Sequence, residues 1–358
     1  MSQKVLRATA GLQQYLTKEC LAKAVECFKQ QPRHLLFYHP VKFEIRHAFP
    51  ATKLSLYSQE INGTTYWLGH IKNKLSKDTP IFTYDGIYNE ADFLQAFQEF
   101  ENTHELFQKP QLPMMVGEQK ITKSIYSYVS RLDSNVDKCN YPCYLFYMTD
   151  EQISKLMQKR LKVPEGYTIG TPNLDKEAHC MTGTWRYGAD GGIELTREKI
   201  RRFPSVCVRK DGQMVGFYML ESLGWLNHHF VFEEHRGKGL GTLLELAHSQ
   251  NCVRAGMRVC KLVELNNVPT IESTKRSEYW TQAKDENDEE IIIDYLVAEG
   301  WQQNLACVRN ARSAYHVTHN PQLPLEAPEL PAIPLPRLHY WHMLTTATQL
   351  AARRYLCN

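Results

Sequence analysis

Residues 232–247 read FEEHRGKGLGTLLELA, and no other stretch constrains the chain as much. An alternating run ends at Phe232 and a short polar turn follows. Arg236-Gly237-Lys238-Gly239-Leu240-Gly241-Thr242 then opens a segment with Leu240, Leu243, Leu244 and Ala247 at helical spacing. A strand that enters a glycine-rich turn and then a helix leaves the first N–H groups of that helix without internal partners. The helix dipole adds partial positive charge at the same point, and glycines let a phosphate approach the backbone closely. Two other phosphate motifs fail here. A P-loop needs glycine where Phe232 stands and Ser or Thr where Gly239 stands, and the dinucleotide fingerprint fails on the spacing after Gly239.

Composition narrows the class. The chain has 358 residues, enough for two domains or one large one. A net charge of +3 without a basic cluster interleaved with aromatics excludes nucleic acid as the expected partner. No apolar run approaches the length of a membrane span. The ten cysteines are scattered, as free thiols in a reducing compartment would be, and Cys139 and Cys143 have no second Cys/His pair near them, so no metal site is expected. The N-terminal MSQKVLRATAGLQQYLTK is basic, which fits either a mitochondrial presequence or an ordinary N-terminal helix of a cytoplasmic protein.

Along the chain, Leu12, Leu16, Leu21, Ala24, Val25 and Phe28 predict a helix over 12–30. The runs Leu35–Tyr38, Lys53–Tyr57 and Thr64–Ile71 are β-rich, with Asn62-Gly63 as a hairpin turn. Helical spacing returns over 90–107, a buried strand is expected at Tyr144–Met148 and a helix at Asp150–Leu161. Val163-Pro164-Glu165-Gly166 marks a boundary. Beyond it come a strand (Tyr167–Gly170), helices at Asn173–Trp185 and Thr196–Arg202, and strands Ser205–Val208 and Met214–Leu220 joined through Asp211-Gly212. The strand before the phosphate turn, the turn's helix and the strand Arg258–Leu265 complete a β-α-α-β-β-β-α-β order. DENDEE at 285–290 reads as a solvated loop, Ile291–Val297 resumes the core, and Leu305–Thr318 is a last strand. Six prolines over 321–336 form a linker, and 338–356 a terminal helix.

The turn and the element order resemble the GNAT acyltransferases, whose pattern is strand, polar turn and Arg-Gly-x-Gly-x-Gly opening a helix. More narrowly, residues 34–320 resemble the glycine N-acyltransferase family, most closely over 165–268. The stretches that carry this are Tyr144–Thr149, Leu174–Gly188 (LDKEAHCMTGTWRYG), Arg202–Gly212 (RFPSVCVRKDG) and Phe232–Gly239 (FEEHRGKG). The resemblance implies an α/β (α+β) fold. A GNAT-like or related α/β domain would span 1–163 and a GNAT acyl-CoA-binding domain 164–320, with an insertion at about 268–290. The linker and tail over 321–358 fall outside it. It also implies transfer of an acyl group from acyl-coenzyme A, as cosubstrate rather than tightly bound cofactor, to the amine of glycine or a similar small amino acid, by a monomeric and often mitochondrial enzyme. Arg236, Gly237, Lys238, Gly239, Leu240, Gly241, Thr242 and Asn267 would hold coenzyme A, and a backbone amide around Phe230, Val231 and Phe232 would face the oxyanion.

One departure bears on catalysis. The family's general base is a Glu nine residues before the Glu of the turn, and that position is Trp225 here; Glu233 and His235 replace the Pro and Tyr of its turn. The Tyr that other GNAT proteins use as general acid would fall at Leu296, beside Tyr295. Strict strand alternation puts Trp225, Asn227, His229, Val231 and Glu233 on one face and Leu226, His228, Phe230 and Phe232 on the other. On that basis His229 is the expected base, with His228 as the neighbouring candidate. The alternatives are a GNAT enzyme for another small amine and a catalytically weak acyl-CoA-binding protein.

Overall fold

The computed structural model describes residues 11–29, 31–108, 112–185 and 192–299. The expected strand at 305–318, the proline-rich linker and the terminal helix lie outside them. The first half runs β1 (Gln13–Tyr15), α1 (Lys18–Cys27), α2 (Leu35–Arg46), β2 (Thr52–Ile61), β3 (Thr64–Asn73), β4 (Thr79–Asp85), α3 (Glu90–His104), β5 (Met115–Glu118), α4 (Gln119–Leu132) and β6 (Asp137–Tyr147). After α5 (Asp150–Gln158) come β7 (Tyr167–Gly170), α6 (Ala178–Gly183), α7 (Gly192–Arg202), β8 (Val206–Lys210), β9 (Gln213–Leu220), β10 (Leu226–Val231), α8 (Leu240–Arg254), β11 (Cys260–Glu264), α9 (Val268–Lys275), β12 (Thr281–Gln282) and β13 (Ile292–Glu299).

The two series are copies of one plan. In each, two helices follow an edge strand, three antiparallel strands follow, and a helix leads to a parallel strand. The parallel pairs are β4/β5, bridged at Ile81↔Val116, and β10/β11, bridged at Leu226↔Lys261. All strands join one mixed sheet, in the order β1-β2-β3-β4-β5-β13-β6-β11-β10-β9-β8-β7, with β12 pairing onto the end of β6 beside this path. The halves therefore exchange their last strands: β13 pairs with β5 of the first half, β6 with β11 of the second, and β6 and β13 pair antiparallel from Ile292↔Tyr144 to Glu299↔Asp137. The sequence break near 163 separates the copies along the chain but does not divide the sheet.

Local chemistry accounts for much of this. Asn62-Gly63 and Asp211-Gly212 adopt φ of 51°, 81°, 51° and 79°, the two left-handed residues that a tight hairpin turn matching strand twist requires. Thr17, Asn89, Thr149 and Asn267 cap α1, α3, α5 and α9 with their side chains.

Four expectations are corrected. The helix read over 12–30 begins only at Lys18, because Gln13–Tyr15 add to the edge of β2 and Thr17 caps α1 behind them. Leu35–Tyr38 are helical, since a short apolar run buried on all sides has no period to separate strand from helix. The helix expected over 173–185 shortens to Ala178–Gly183. The charge run is not simply solvated: Glu286 pairs at 2.9 Å with Arg33, whose side chain is 2% exposed, and Asp285 accepts the N–H groups of Asn287 and Glu289. Among the described residues no helix is long and apolar enough to cross a membrane.

Candidate functional site

Beyond Leu226↔Lys261, β10 and β11 diverge, and the opening ends at the turn that begins α8. His229, Val231, His235, Arg236, Gly237, Gly239, Leu240 and Gly241 line a cleft there of about 260 Å³. The structure thus brings His229 together with most of the glycine turn. Lys238 and Thr242 are exposed at its rim. Gly237 and Gly239 have φ of 73° and 75°. Gly239 is the N-cap of α8 and offers no side chain, so the first N–H groups of this 15-residue helix stay open, unlike those of the four side-chain-capped helices. Leu243 N–H is the first to bond back, to Gly239 C=O. Arg236 Nε donates to Val231 C=O at 2.9 Å and Lys238 Nζ to Glu234 C=O at 2.9 Å, which folds two cations over the lip.

The equivalent turn of the first half lacks these features. Gly86 (φ +116°) is closed over by Thr64, whose Oγ1 donates to Ile87 C=O and accepts Ile87 N–H. Asn89 caps α3, and Glu90 and Asp92 make its first turn acidic. Only the second-half turn suits an anion.

Backbone positions sort themselves by direction. Phe232 N–H donates to Val215 C=O on β9, so the N–H of Val231 points the other way, into the opening. Of the three amides expected at the oxyanion, Val231 is the one that faces the cleft. The Phe230 side chain packs with Phe217 on the far face of the sheet, and Phe232 lies against Phe230. Asn267 is not among the cleft-lining residues; its side chain accepts from Thr270 N–H to cap α9.

The alternation expected along β10 does not hold. Asn227 pairs with Met219 and Phe230 with Phe217, so His228 and His229 together oppose Tyr218. This β-bulge puts His228 at φ 57°, and Asn227 Oδ1 accepts the His228 N–H at 2.8 Å. The extra residue shifts the parity. His228 meets Phe217, Trp185 and Thr184 on one face, whereas His229 stacks on Tyr218 at 4.4 Å on the other. Trp225 packs in the cluster containing Cys260 and Tyr295, and His229 interacts with Lys261, the next residue along β11. Trp225 and His229 are therefore on opposite faces. His229 is not a same-face substitute for an acid at 225, though it does reach the cleft.

Both imidazoles are held neutral. Burial, reinforced by Lys199, pushes His228 down to about 3. Thr184 spends its hydrogen on Met181 C=O, so His228 Nε2 must be the donor in their 3.0 Å contact, which leaves Nδ1 unprotonated. His229 is exposed in the cleft, although protein atoms crowd around it. Desolvation lowers it, and Lys261 acts in the same direction, against Glu245 and the Gly241 backbone.

Two polar groups escaped the reading of the sequence. Glu221 accepts from Lys199 at 2.7 Å, Ser222 at 2.7 and 2.8 Å, and Asn227 at 3.0 Å, which anchors the bulge. Beneath the cleft, Lys261 is bonded to Glu245 of α8. The available signal was a lone acid, Glu245, inside the apolar Leu243–Ala247 run. Tyr295 is partly buried beside Trp225, and this desolvation raises its pKa and keeps it protonated. Among the described residues no group of three or more His, Cys, Asp or Glu side chains could hold a metal ion.

The glycines make separable predictions. Ala at Gly237 or Gly239 would sit at positive φ and is expected to cost about 1–2 kcal/mol. At Gly241 the backbone is helical and an added Cβ would meet His229 at an ordinary 3.6 Å. Gly241→Ala should leave the melting temperature near wild type, and equal destabilisation of all three variants in thermal melts would contradict this assignment.

No protein-family model matches the chain, and no curated protein matches it in sequence. Among solved structures, a Drosophila protein is similar at 12% identity and a TM-score of 0.63, over 80% of this chain and 98% of that one. A tandem GNAT protein from the clavulanic acid biosynthesis pathway aligns at 15% identity and a TM-score of 0.48, over 81% and 99%. A GCN5-related N-acetyltransferase from Sphaerobacter thermophilus aligns at 10% identity and 0.44, over 80% and 95%. At 12% identity the likeness to the Drosophila protein concerns the fold alone. With the parallel pair that opens beyond one bridge and the uncapped helix at its mouth, the C-terminal half has the mixed α/β architecture expected of it.

Proposed function

We propose that the protein is an acyl-coenzyme A-dependent N-acyltransferase whose acceptor is glycine or a similar small amino acid. The observation that carries the reading is the joining of an uncapped, glycine-led helix start to a cleft between diverging parallel strands. The pyrophosphate lies on the N–H groups of Gly239–Thr242 with Arg236 and Lys238 at its rim, and the pantetheine arm enters between β10 and β11. Glycine as acceptor rests on the sequence stretches that resemble the glycine-conjugating enzymes.

The reaction is direct. The amine gives a proton to neutral His229 and attacks the thioester carbon. The tetrahedral oxyanion takes a hydrogen bond from the cleft-facing N–H of Val231 and collapses to the amide as coenzyme A leaves as thiolate, which is then protonated. His228, on the other face with its Nδ1 lone pair, is the second candidate for the proton.

Thiol release from a panel of acyl-CoA donors with glycine and other small amines tests this. Arg236→Ala should raise KM for acyl-CoA by about 10- to 100-fold, the loss of one charge-assisted contact, and leave KM for the amine unchanged. Activity should rise with pH through a midpoint below the ordinary histidine value of 6.5, and His229→Ala should remove that limb. Acyl-CoA binding without thiol release from any pair would favour a binding protein, the reading that Trp225 motivates. Release with amines other than glycine alone would correct the acceptor.

A further inference from the structure

We propose that Glu245, clamped by Lys261 beneath the cleft, is a positioning residue for His229: it fixes the imidazole at the cleft floor and stabilises the imidazolium formed when the amine gives up its proton. The inference rests on the reading of His229 as base, but its geometry stands independently.

Glu245 lies one helical turn beyond Gly241, so both face the same side of α8, toward β10. An added Cβ at Gly241 would be 3.6 Å from a ring carbon of His229, which fixes how close the ring comes to this face. The other side of the ring is stacked on Tyr218 at 4.4 Å and 14°. The imidazole thus lies between Tyr218 of β9 and the Gly241 face of α8. Lys261 approaches from β11 at the last residue bridged to β10 before the strands part. Its side chain is 4% exposed, bonded to Glu245 and 4.2 Å above the Trp280 ring.

The groups that face His229 come from every element packed around it. Tyr218 is on β9, Glu245 and His248 are on α8, Lys261 is on β11, and His235 and Arg236 line the cleft from the turn. Glu245 is the carboxylate among them. It favours the imidazolium, while Lys261, Arg236 and a charged His248 would oppose it. An ion pair this buried is a poor stabilising device, because an apolar pair of the same shape is often as good or better. Its place under a solvent-reached imidazole gives it a different use. When His229 takes a proton, the new positive charge meets an anion already in position, and Lys261 keeps that anion from turning away. The amine's N–H bond breaks, an imidazole N–H bond forms, and Glu245 stays ionised throughout.

The test follows His229 itself. The titration midpoint of its imidazole is read by NMR in the full-length protein, in wild type, Glu245→Gln and the doubly neutral Glu245→Gln/Lys261→Met, which keeps the packing if the single variant folds poorly. Glu245→Gln should move the midpoint to lower pH, and the double variant should bring it part-way back. In turnover, Glu245→Gln should lower kcat about 10- to 100-fold, with KM for acyl-CoA unchanged. Added to His229→Ala it should have no further effect on kcat. An unmoved midpoint in both variants, or losses that simply add to those of His229→Ala, would overturn the proposal. A midpoint that moves in a protein without turnover would uphold the coupling while defeating the acyltransferase reading.

Discussion

A fragment beginning at residue 164 is expected to have no cooperative thermal transition and no affinity for coenzyme A, although it carries the whole glycine turn. The reason is the strand exchange. β6 lies between β13 and β11, in register with β11 from Cys260↔Tyr147 to Glu264↔Cys143 and with β13 from Ile292↔Tyr144 to Glu299↔Asp137. Its side chains alternate between two cores: Phe146, 1% exposed, belongs to the cluster under α8, and Leu145, 1% exposed, to the cluster around Trp225 and Ile293. Truncating one buried Phe or Leu costs about 2–5 kcal/mol, against a total stability of about 5–15 kcal/mol for a typical protein. Removing the strand deletes both side chains and the ladders on either side of it. The first half also supports the second from α2. His39 Nε2 meets Arg258 C=O at 2.8 Å, and Gly224 leaves room for the His39 side chain, which would lie 2.2 Å from a Cβ there. Near-UV circular dichroism and calorimetry of the 164–320 fragment check this. A sharp melt with coenzyme A bound would show that β6 is dispensable. Supplying the first half in trans should restore both signals if the exchanged strands can find each other.

What could be read in advance divides along physical lines. Asn62-Gly63, Asp211-Gly212 and Gly237-x-Gly239 announce themselves because only a few residue types tolerate left-handed backbone, and the structure has positive φ at all six named residues. The β-α-α-β-β-β-α-β order of the second half followed from changes of period between elements. Leu35–Tyr38 did not, because burial on every side erases the period that separates strand from helix. The exchange of β6 and β13 was invisible for a different reason: a strand's own residues do not encode which neighbour it pairs with. The bulge at His228 had the largest consequence. One inserted residue reversed the face of every later side chain on β10, so His229 does not stand on the face of the missing acid although it does reach the cleft. The Glu245–Lys261 pair joins residues on a helix and a strand and could be seen only once both were placed.

Glu221→Ala is expected to destabilise the protein by about 3–5 kcal/mol at pH 7, the cost of stranding one partner of a buried ion pair. Lys199, with a side chain 12% exposed, would lose its counter-charge, and Asn227 would lose the acceptor for its Nδ2. Asn227 in turn holds the His228 N–H that keeps the bulge in its left-handed turn, so looser packing at Glu221 reaches the oxyanion-facing strand through two hydrogen bonds. The pH dependence identifies the cause. Burial raises the Glu221 pKa, but Lys199, Ser222 and Asn227 outweigh it and bring the group from 4.5 down to about 2. A carboxylate lowered by folding adds stability that is fully present above its unfolded pKa and is lost as pH falls through the folded one. That lowering corresponds to about 3 kcal/mol. In urea titrations, wild type and Glu221→Ala should therefore differ most above pH 5 and converge as the pH falls from 4.5 toward 2. A difference that stays constant over that window would mean that Glu221 acts by packing alone. Glu221→Ala/Lys199→Met, which removes both charges, should recover much of the stability but not the turnover, because the bulge still lacks the acceptor that fixes Asn227.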